Sequence, residues 1–170
     1  MGSGKTTVGR ALAERTGWPY VDNDELLLRL AGASPKEILA ERGEAELRAS
    51  ESAALMLGLV TPAPSIIGVA AGTILDEANR DAMRRRGRVV WLRANPETLA
   101  ARSIGAAHRA WLDEGGQEWI RETAALRDPL YASVAEVTLD VEGRSADELA
   151  AEIERRLTQT APGEPRARHP

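Results

Sequence analysis

The chain commits itself within its first seven residues. Gly2-Ser3-Gly4-Lys5-Thr6-Thr7 is the second half of the spacing G-x-x-x-x-G-K-[ST]. Glycines at these positions let successive backbone N–H groups turn inward onto phosphate oxygens. The loop has to run into the N-terminus of a helix, whose partial positive charge adds to the attraction. Val8–Arg15 supplies the amphipathic stretch that such a helix needs. Lys5 would reach the outer phosphates of a nucleotide and the Thr6 hydroxyl would meet Mg2+. Composition strengthens the case for Lys5. Of the 22 basic residues only Lys5 and Lys36 are lysines. A chain that uses arginine for generic positive charge keeps a compact ammonium where a tight phosphate cradle requires one.

The first half of the motif is not in the sequence. Its leading glycine would lie five residues before Gly4, ahead of Met1, together with the strand that feeds the loop. The chain is therefore expected to be an N-terminally truncated reading of a longer protein, with Met1 an internal methionine.

Downstream, short apolar runs alternate with longer amphipathic stretches, the pattern of an α/β domain with a largely parallel sheet. The strand candidates are Trp18–Asp22, Ser65–Ala70, Arg88–Arg93 and Val137–Val141. The helix candidates are Lys5–Thr16, Asp24–Ala31, Glu44–Leu59, Leu75–Arg86, Pro96–Ser103, Glu118–Ser133 and Ala146–Leu157. Gly17 marks the end of the first helix, and Asn95-Pro96 the start of another. Residues 105–117 lack periodicity and read as a mobile lid within a domain spanning 1–157; residues 158–170, rich in Pro and Gly, read as a disordered tail.

At 170 residues the chain fits one domain. A net charge of -4 argues against general nucleic-acid binding, which needs a basic field. No apolar run is long enough for a membrane span. The absence of cysteine excludes disulfides and thiolate-held zinc and suits a cytoplasmic enzyme. The expected state is a monomer. Asp22 and Asp24 follow the first helix two residues apart, so both carboxylates can point to one face of a strand end. One could hold Mg2+ through water and the other could take the proton of an attacking hydroxyl, although the same pair could also be a helix cap.

Several segments together resemble the shikimate kinases. They are Gly2–Gly17 with Trp18–Glu25, Ile38–Arg48 with Glu51, Arg88–Leu92 running into Pro96–Arg102, and Arg127-Asp128-Pro129-Leu130-Tyr131. The resemblance covers about residues 1–157. It implies a three-layer P-loop fold of the nucleoside-monophosphate-kinase type, with a five-stranded parallel sheet whose first, central strand is missing here. It implies transfer of the γ-phosphoryl group of ATP, with Mg2+, to the 3-hydroxyl of shikimate. Under the resemblance Gly2, Ser3, Gly4, Lys5, Thr6 and Thr7 hold the phosphates. Arg102 stacks near adenine. Thr6 and Asp22 serve the metal. Asp24 orients or deprotonates the attacking hydroxyl, and Lys5 and Arg109, the latter from the lid, act on the transferred group. Arg48, Arg127 and Gly72 hold the substrate carboxylate, with Glu51 holding Arg48.

The pattern breaks in the acceptor half. Ala70-Ala71-Gly72 stands where the family carries three glycines, and Leu39 and Leu47 replace aromatic residues. An alanine forced into the left-handed region would cost about 1–2 kcal/mol. These departures leave two alternatives open: a paralogous kinase acting on another small hydroxylated molecule, or a nucleotide-binding protein without catalysis.

Overall fold

The computed structural model describes residues 2–103 and 116–159, without the side chains of 101–103. Helix α1 (Lys5–Thr16) starts at Gly4, φ 86°, and stops at Gly17, φ 73°. Both lie in the left-handed region that a Cβ disfavours, and the Gly17 N–H donates to the Ala13 carbonyl as a C-terminal cap. Strand β1 (Tyr20–Asp22) leads without a loop into α2 (Asn23–Ala31), whose N-terminus is capped by Asp22 accepting from the Asp24 N–H. Helix α3 (Pro35–Gly58) opens with a reciprocal capping box between Ser34 and Glu37 and bends at Gly43, φ 84°. Then come β2 (Ile66–Gly68), a 3-10 turn (Thr73–Leu75), α4 (Glu77–Arg86), β3 (Val90–Arg93), α5 (Pro96–Ser103), α6 (Gly116–Val134), β4 (Val137–Asp140) and α7 (Ala146–Gln159).

The strands form two parallel pairs. Tyr20, Val21 and Asp22 face Ile66, Ile67 and Gly68, and Val90 to Arg93 face Val137 to Asp140. No described strand hydrogen-bonds the β1–β2 pair to the β3–β4 pair. Helix α1 instead ties them together. Its Val8, Ala11 and Leu12 share one apolar cluster with Ile66 of β2, Val90 and Leu92 of β3, Val137 and Leu139 of β4, and Leu149, Ala150 and Ile153 of α7. The opposite face of the strand layer packs Val69 and Val89 against Leu55 of α3, Met83 of α4 and Val134 and Leu130 of α6. Val89 and Val90 thus point to opposite sides, as the period of a strand requires. The result is a three-layer α/β arrangement of helix, strand and helix.

Several expected boundaries move, each for a local reason. The strands are shorter than their apolar runs, because only three or four residues of each find ladder partners. The helix expected from Glu44 is present; a further helical stretch, signalled by Ser34-Pro35-x-Glu37, begins at Pro35 and meets it across a kink at Gly43, whose φ 84° and ψ 176° are non-helical. The helix expected at Leu75–Arg86 is divided at Asp76, whose carboxylate accepts from the Ala78 and Asn79 N–H groups and caps α4. Gly116 and Gln117, assigned to the lid, open α6; the rest of the lid, 105–115, lies outside the described residues. Thr158 and Gln159, assigned to the tail, continue α7, with the Thr158 hydroxyl donating to the Glu154 and Arg155 carbonyls.

Candidate active site

The site gathers where β1 and β2 end. Parallel register sets Asp22 opposite Gly68, so α2, which follows β1, and the Val69–Gly72 turn, which follows β2, leave the sheet side by side. Openings of this kind, beyond the carboxyl ends of parallel strands, are where α/β sheets bind ligands.

On one side lies the phosphate loop. Gly2 and Gly4 both take positive φ, 75° and 86°. The first turn of α1 holds no acidic residue, and no side chain caps it among the described residues. Its first-turn N–H groups and helix dipole are therefore available to an anion. The Asp22 carboxylate stands beside this turn. Its Oδ2 accepts from the Thr6 hydroxyl at 3.1 Å and the Tyr20 hydroxyl at 2.9 Å, with Lys5 Nζ at 4.0 Å, while Oδ1 accepts from the Asp24 N–H at 2.9 Å. Burial works against the Asp22 charge, but the Asp24 N–H, Lys5 and the two hydroxyls outweigh it and hold the carboxyl below its ordinary value. A hydroxyl beside an ionised carboxylate is an all-oxygen donor set suited to Mg2+, which keeps several waters and phosphate oxygens in its shell. Such an ion does not require a dedicated cage, and no cluster of three or more His, Cys, Asp or Glu exists among the described residues.

On the other side four elements converge on Glu51 of α3, which is only 7% exposed. Arg48, one turn earlier, donates through Nη1 to Glu51 Oε2 at 2.7 Å and through Nη2 to Glu44 at 2.9 Å. Asp24 of α2 and Arg127 of α6 lie near enough for their charges to act on the Glu51 carboxyl. Burial pushes Glu51 up, and Arg48 and Arg127 pull it back. Gly72 closes the group from the turn after β2. A Cβ there would sit 2.8 Å from Arg48 Cζ and would overlap the Arg48 Nη1 and Glu51 Oε2 atoms. The Nε groups of Arg48 and Arg127 are buried without a hydrogen-bond partner in the protein. Asp24 is solvent-exposed by area, yet protein surrounds its carboxyl closely enough that burial raises it, against the pull of Lys5.

Two supporting side chains carry no motif of their own. The Tyr131 hydroxyl, four residues after Arg127 on α6, donates to the Ala71 carbonyl at 3.1 Å. Buried Asn79 donates through Nδ2 to the Ser52 hydroxyl at 2.8 Å and to the Thr73 carbonyl at 3.1 Å, linking the helix of Arg48 and Glu51 to the turn of Gly72. A half-buried Tyr one turn after an Arg was the available signal for the first; Asn79 had none.

The expected strain at Ala70 and Ala71 is absent. No residue other than glycine has a positive φ among the described residues, and Gly72 itself sits at φ -75°. Alanine at 70 and 71 is conformationally free; what position 72 demands is space. Leu47 packs into the α2–α3 core with Leu27, Ile38 and Ala54, while Leu39 is exposed. Arg102 falls on the last turn of α5, and its side chain, like the whole of Arg109, lies outside the described residues.

A parallel α/β layer with a glycine-rich loop feeding a helix, and a Lys, a Thr and an Asp meeting at its mouth, defines a P-loop phosphotransferase. The sequence matches the family model described as shikimate kinase over residues 1–158, and the chain belongs to that family. A shikimate kinase of Symbiobacterium thermophilum is 41% identical over 162 residues, covering 94% of this chain and 92% of the relative. One of Xanthomonas campestris pv. campestris is 37% identical over 158 residues, covering 92% and 87%. Among solved structures, the shikimate kinase of Acinetobacter baumannii in complex with shikimate superposes with a TM-score of 0.89 at 32% identity, covering 96% of this chain and 91% of that one. The shikimate kinase of Aquifex aeolicus gives a TM-score of 0.80 at 26% identity, covering 96% and 95%. No helix among the described residues is long and apolar enough to cross a membrane.

Proposed function

We propose that this chain transfers the γ-phosphoryl group of ATP to a hydroxyl of shikimate. The observation that carries the reading is the position of Asp24. The charge of Lys5 in the phosphate loop acts on its carboxyl, and its own charge acts on Glu51 of the Arg48–Arg127 cluster. A carboxyl electrostatically coupled to both halves is where an acceptor hydroxyl and a phosphoryl donor would meet.

The residues divide the work as follows. Gly2, Ser3 and Gly4, with the first turn of α1 (Lys5, Thr6, Thr7), cradle the phosphates, and Lys5 balances charge on the transferred group. Mg2+, held by Thr6 and by Asp22 through water, would supply further neutralisation of the phosphate oxygens. Arg48 and Arg127, with the Gly72 turn, take the acceptor's carboxylate; planar guanidinium groups suit that anion. Asp24 accepts the proton of the acceptor hydroxyl as its oxygen bonds to the γ-phosphorus and the bond from that phosphorus to the bridging oxygen of ADP breaks. Arg109 and Arg102 are assigned to the lid and the adenine by their places in the sequence.

The test is ADP release measured with and without shikimate. Release that depends on shikimate is the expected result. Release driven only by a different hydroxylated acid would replace the acceptor while keeping the chemistry. ATP binding with no turnover on any acceptor would overturn the kinase reading.

A further inference from the structure

Asp22 has more partners than a helix cap or a metal-water acceptor requires, and one of them lies in a slot cleared for it. The Tyr20 ring passes between α1 and β2 at the two points where those elements have no side chain. A Cβ on Gly9 would come 2.9 Å from Tyr20 Cδ2 and overlap Cε2. A Cβ on Gly68 would come 2.9 Å from Tyr20 Cζ and overlap the hydroxyl. Gly9 is in a helix interior, where glycine costs about 1 kcal/mol relative to alanine, and neither glycine has a positive φ that would require it. Both are explained by the ring they admit. The slot delivers the phenol to one place, with Oη 2.9 Å from Asp22 Oδ2, the same oxygen that accepts from Thr6.

We propose that Tyr20 is a positioning residue for the metal corner of the site. Asp22 Oδ1 is fixed by the Asp24 N–H and Oδ2 by Tyr20, so the carboxylate keeps its orientation whatever the Thr6 hydroxyl does. Thr6 can then point its proton at Oδ2 and leave its lone pairs facing outward, which is the orientation a cation needs. Without the phenol, Oδ2 would rely on the Thr6 proton and on Lys5 at 4.0 Å, both of which are needed by the bound nucleotide. This role rests on the proposed nucleotide site, and it goes beyond that site by assigning a residue that makes no contact with phosphate.

Tyr20→Phe keeps the ring in its slot and removes only the donor. Equilibrium binding of ADP is measured by calorimetry on the full chain, in Mg2+ and in EDTA, beside the melting temperature. Loss of one hydrogen bond to a charged group should weaken binding of the Mg2+ complex about five- to tenfold, leave metal-free ADP binding within about twofold, and move the melting temperature by no more than a few degrees. Equal weakening with and without Mg2+ would show a merely structural role, and no weakening in either condition would show that Asp22 needs no such support; either overturns the proposal. Wild-type protein that bound ADP in neither condition would instead remove the nucleotide site and the inference with it. Gly68→Ala provides a second approach: it crowds the hydroxyl out of the slot and should reproduce the selective loss.

Discussion

The two halves of the site are built on opposite plans. The proposed phosphate half is nearly contiguous in sequence, Gly2 to Thr7 running straight into α1, and what it offers a phosphate is backbone N–H groups and a helix end. The proposed acceptor half takes Asp24 from α2, Arg48 and Glu51 from α3, Gly72 from the turn after β2 and Arg127 from α6, gathered by charge around the buried Glu51 carboxylate. A local half depends on backbone conformation, which a short motif can guarantee. A distributed half depends on every helix arriving at the right place, so it is the half that mutation can dismantle without touching the other.

That contrast can be broken from either end. Among changes confined to one half, the largest expected effect is Lys5→Ala. Removing a preorganised positive group from the developing phosphate charge should lower kcat by about 10²–10³-fold, with shikimate binding unchanged by direct titration. Next is Glu51→Ala, which leaves Arg48 without its buried partner. Breaking such a pair costs roughly 3–5 kcal/mol when both groups are buried, and about 2–3 kcal/mol is expected here because Arg48 is 32% exposed. Denaturant unfolding should show that loss together with a raised KM for shikimate, while ADP affinity stays constant. Equal damage to ADP binding would mean the two halves are one cooperative unit.

Gly72→Ala sharpens the comparison, because it acts by volume alone. Its methyl must displace the Arg48 guanidinium, so KM for shikimate should rise about tenfold with no change in ADP affinity and less effect on stability than Glu51→Ala. Ala71→Gly, at a position with no positive φ, should change neither. If Ala71→Gly improved shikimate binding and Gly72→Ala did not harm it, the assignment of the close approach to position 72 would be wrong.

The smallest effect is a displacement in pH. Burial raises Asp24, so the acidic limb of kcat/KM should lie above the ordinary aspartate value of 3.8, with activity lost as pH falls through the raised value. Asp22 behaves oppositely. Its folded-state value is depressed, so the stability it contributes is present above 3.8 and is lost only as pH falls through the lower folded value. A pH–rate profile whose acidic limb disappears in Asp24→Asn and persists in Tyr20→Phe would separate the two aspartates.

The same contrast explains what the sequence discloses. The α1 helix is legible to the residue because Gly4 and Gly17 bracket it and the lysine motif precedes it. Asp22 and Asp24 are legible as a pair, but their proposed division of labour comes from surroundings: one is buried, accepting three hydrogen bonds with Lys5 beside it, and the other is exposed. The helical stretch from Glu44 was legible from Gly43, which interrupts the helical backbone, whereas the stretch before it was written in Ser34-Pro35-x-Glu37 and missed. Residues 70 and 71 show the limit of reading a motif by its letters. Three glycines suggest three backbone demands, whereas the geometry places the demand on Gly72 and makes it a matter of packing against Arg48 and Glu51. Asn79 and Tyr20 act through partners distant in sequence or through a cleared slot, which no local pattern encodes.

Asp24 is the carboxyl electrostatically coupled to both halves, and single-turnover kinetics of Asp24→Asn test its proposed role most directly. The substitution keeps the size of the side chain and removes its ability to take a proton. The rate of phosphoryl transfer to shikimate should fall about 10²–10⁴-fold, while ADP and shikimate each bind within about threefold of wild type. A variant that transfers phosphate within about fivefold of the wild-type rate would show that the acceptor proton goes elsewhere, and the meeting point of the two halves would have to be sought at another residue.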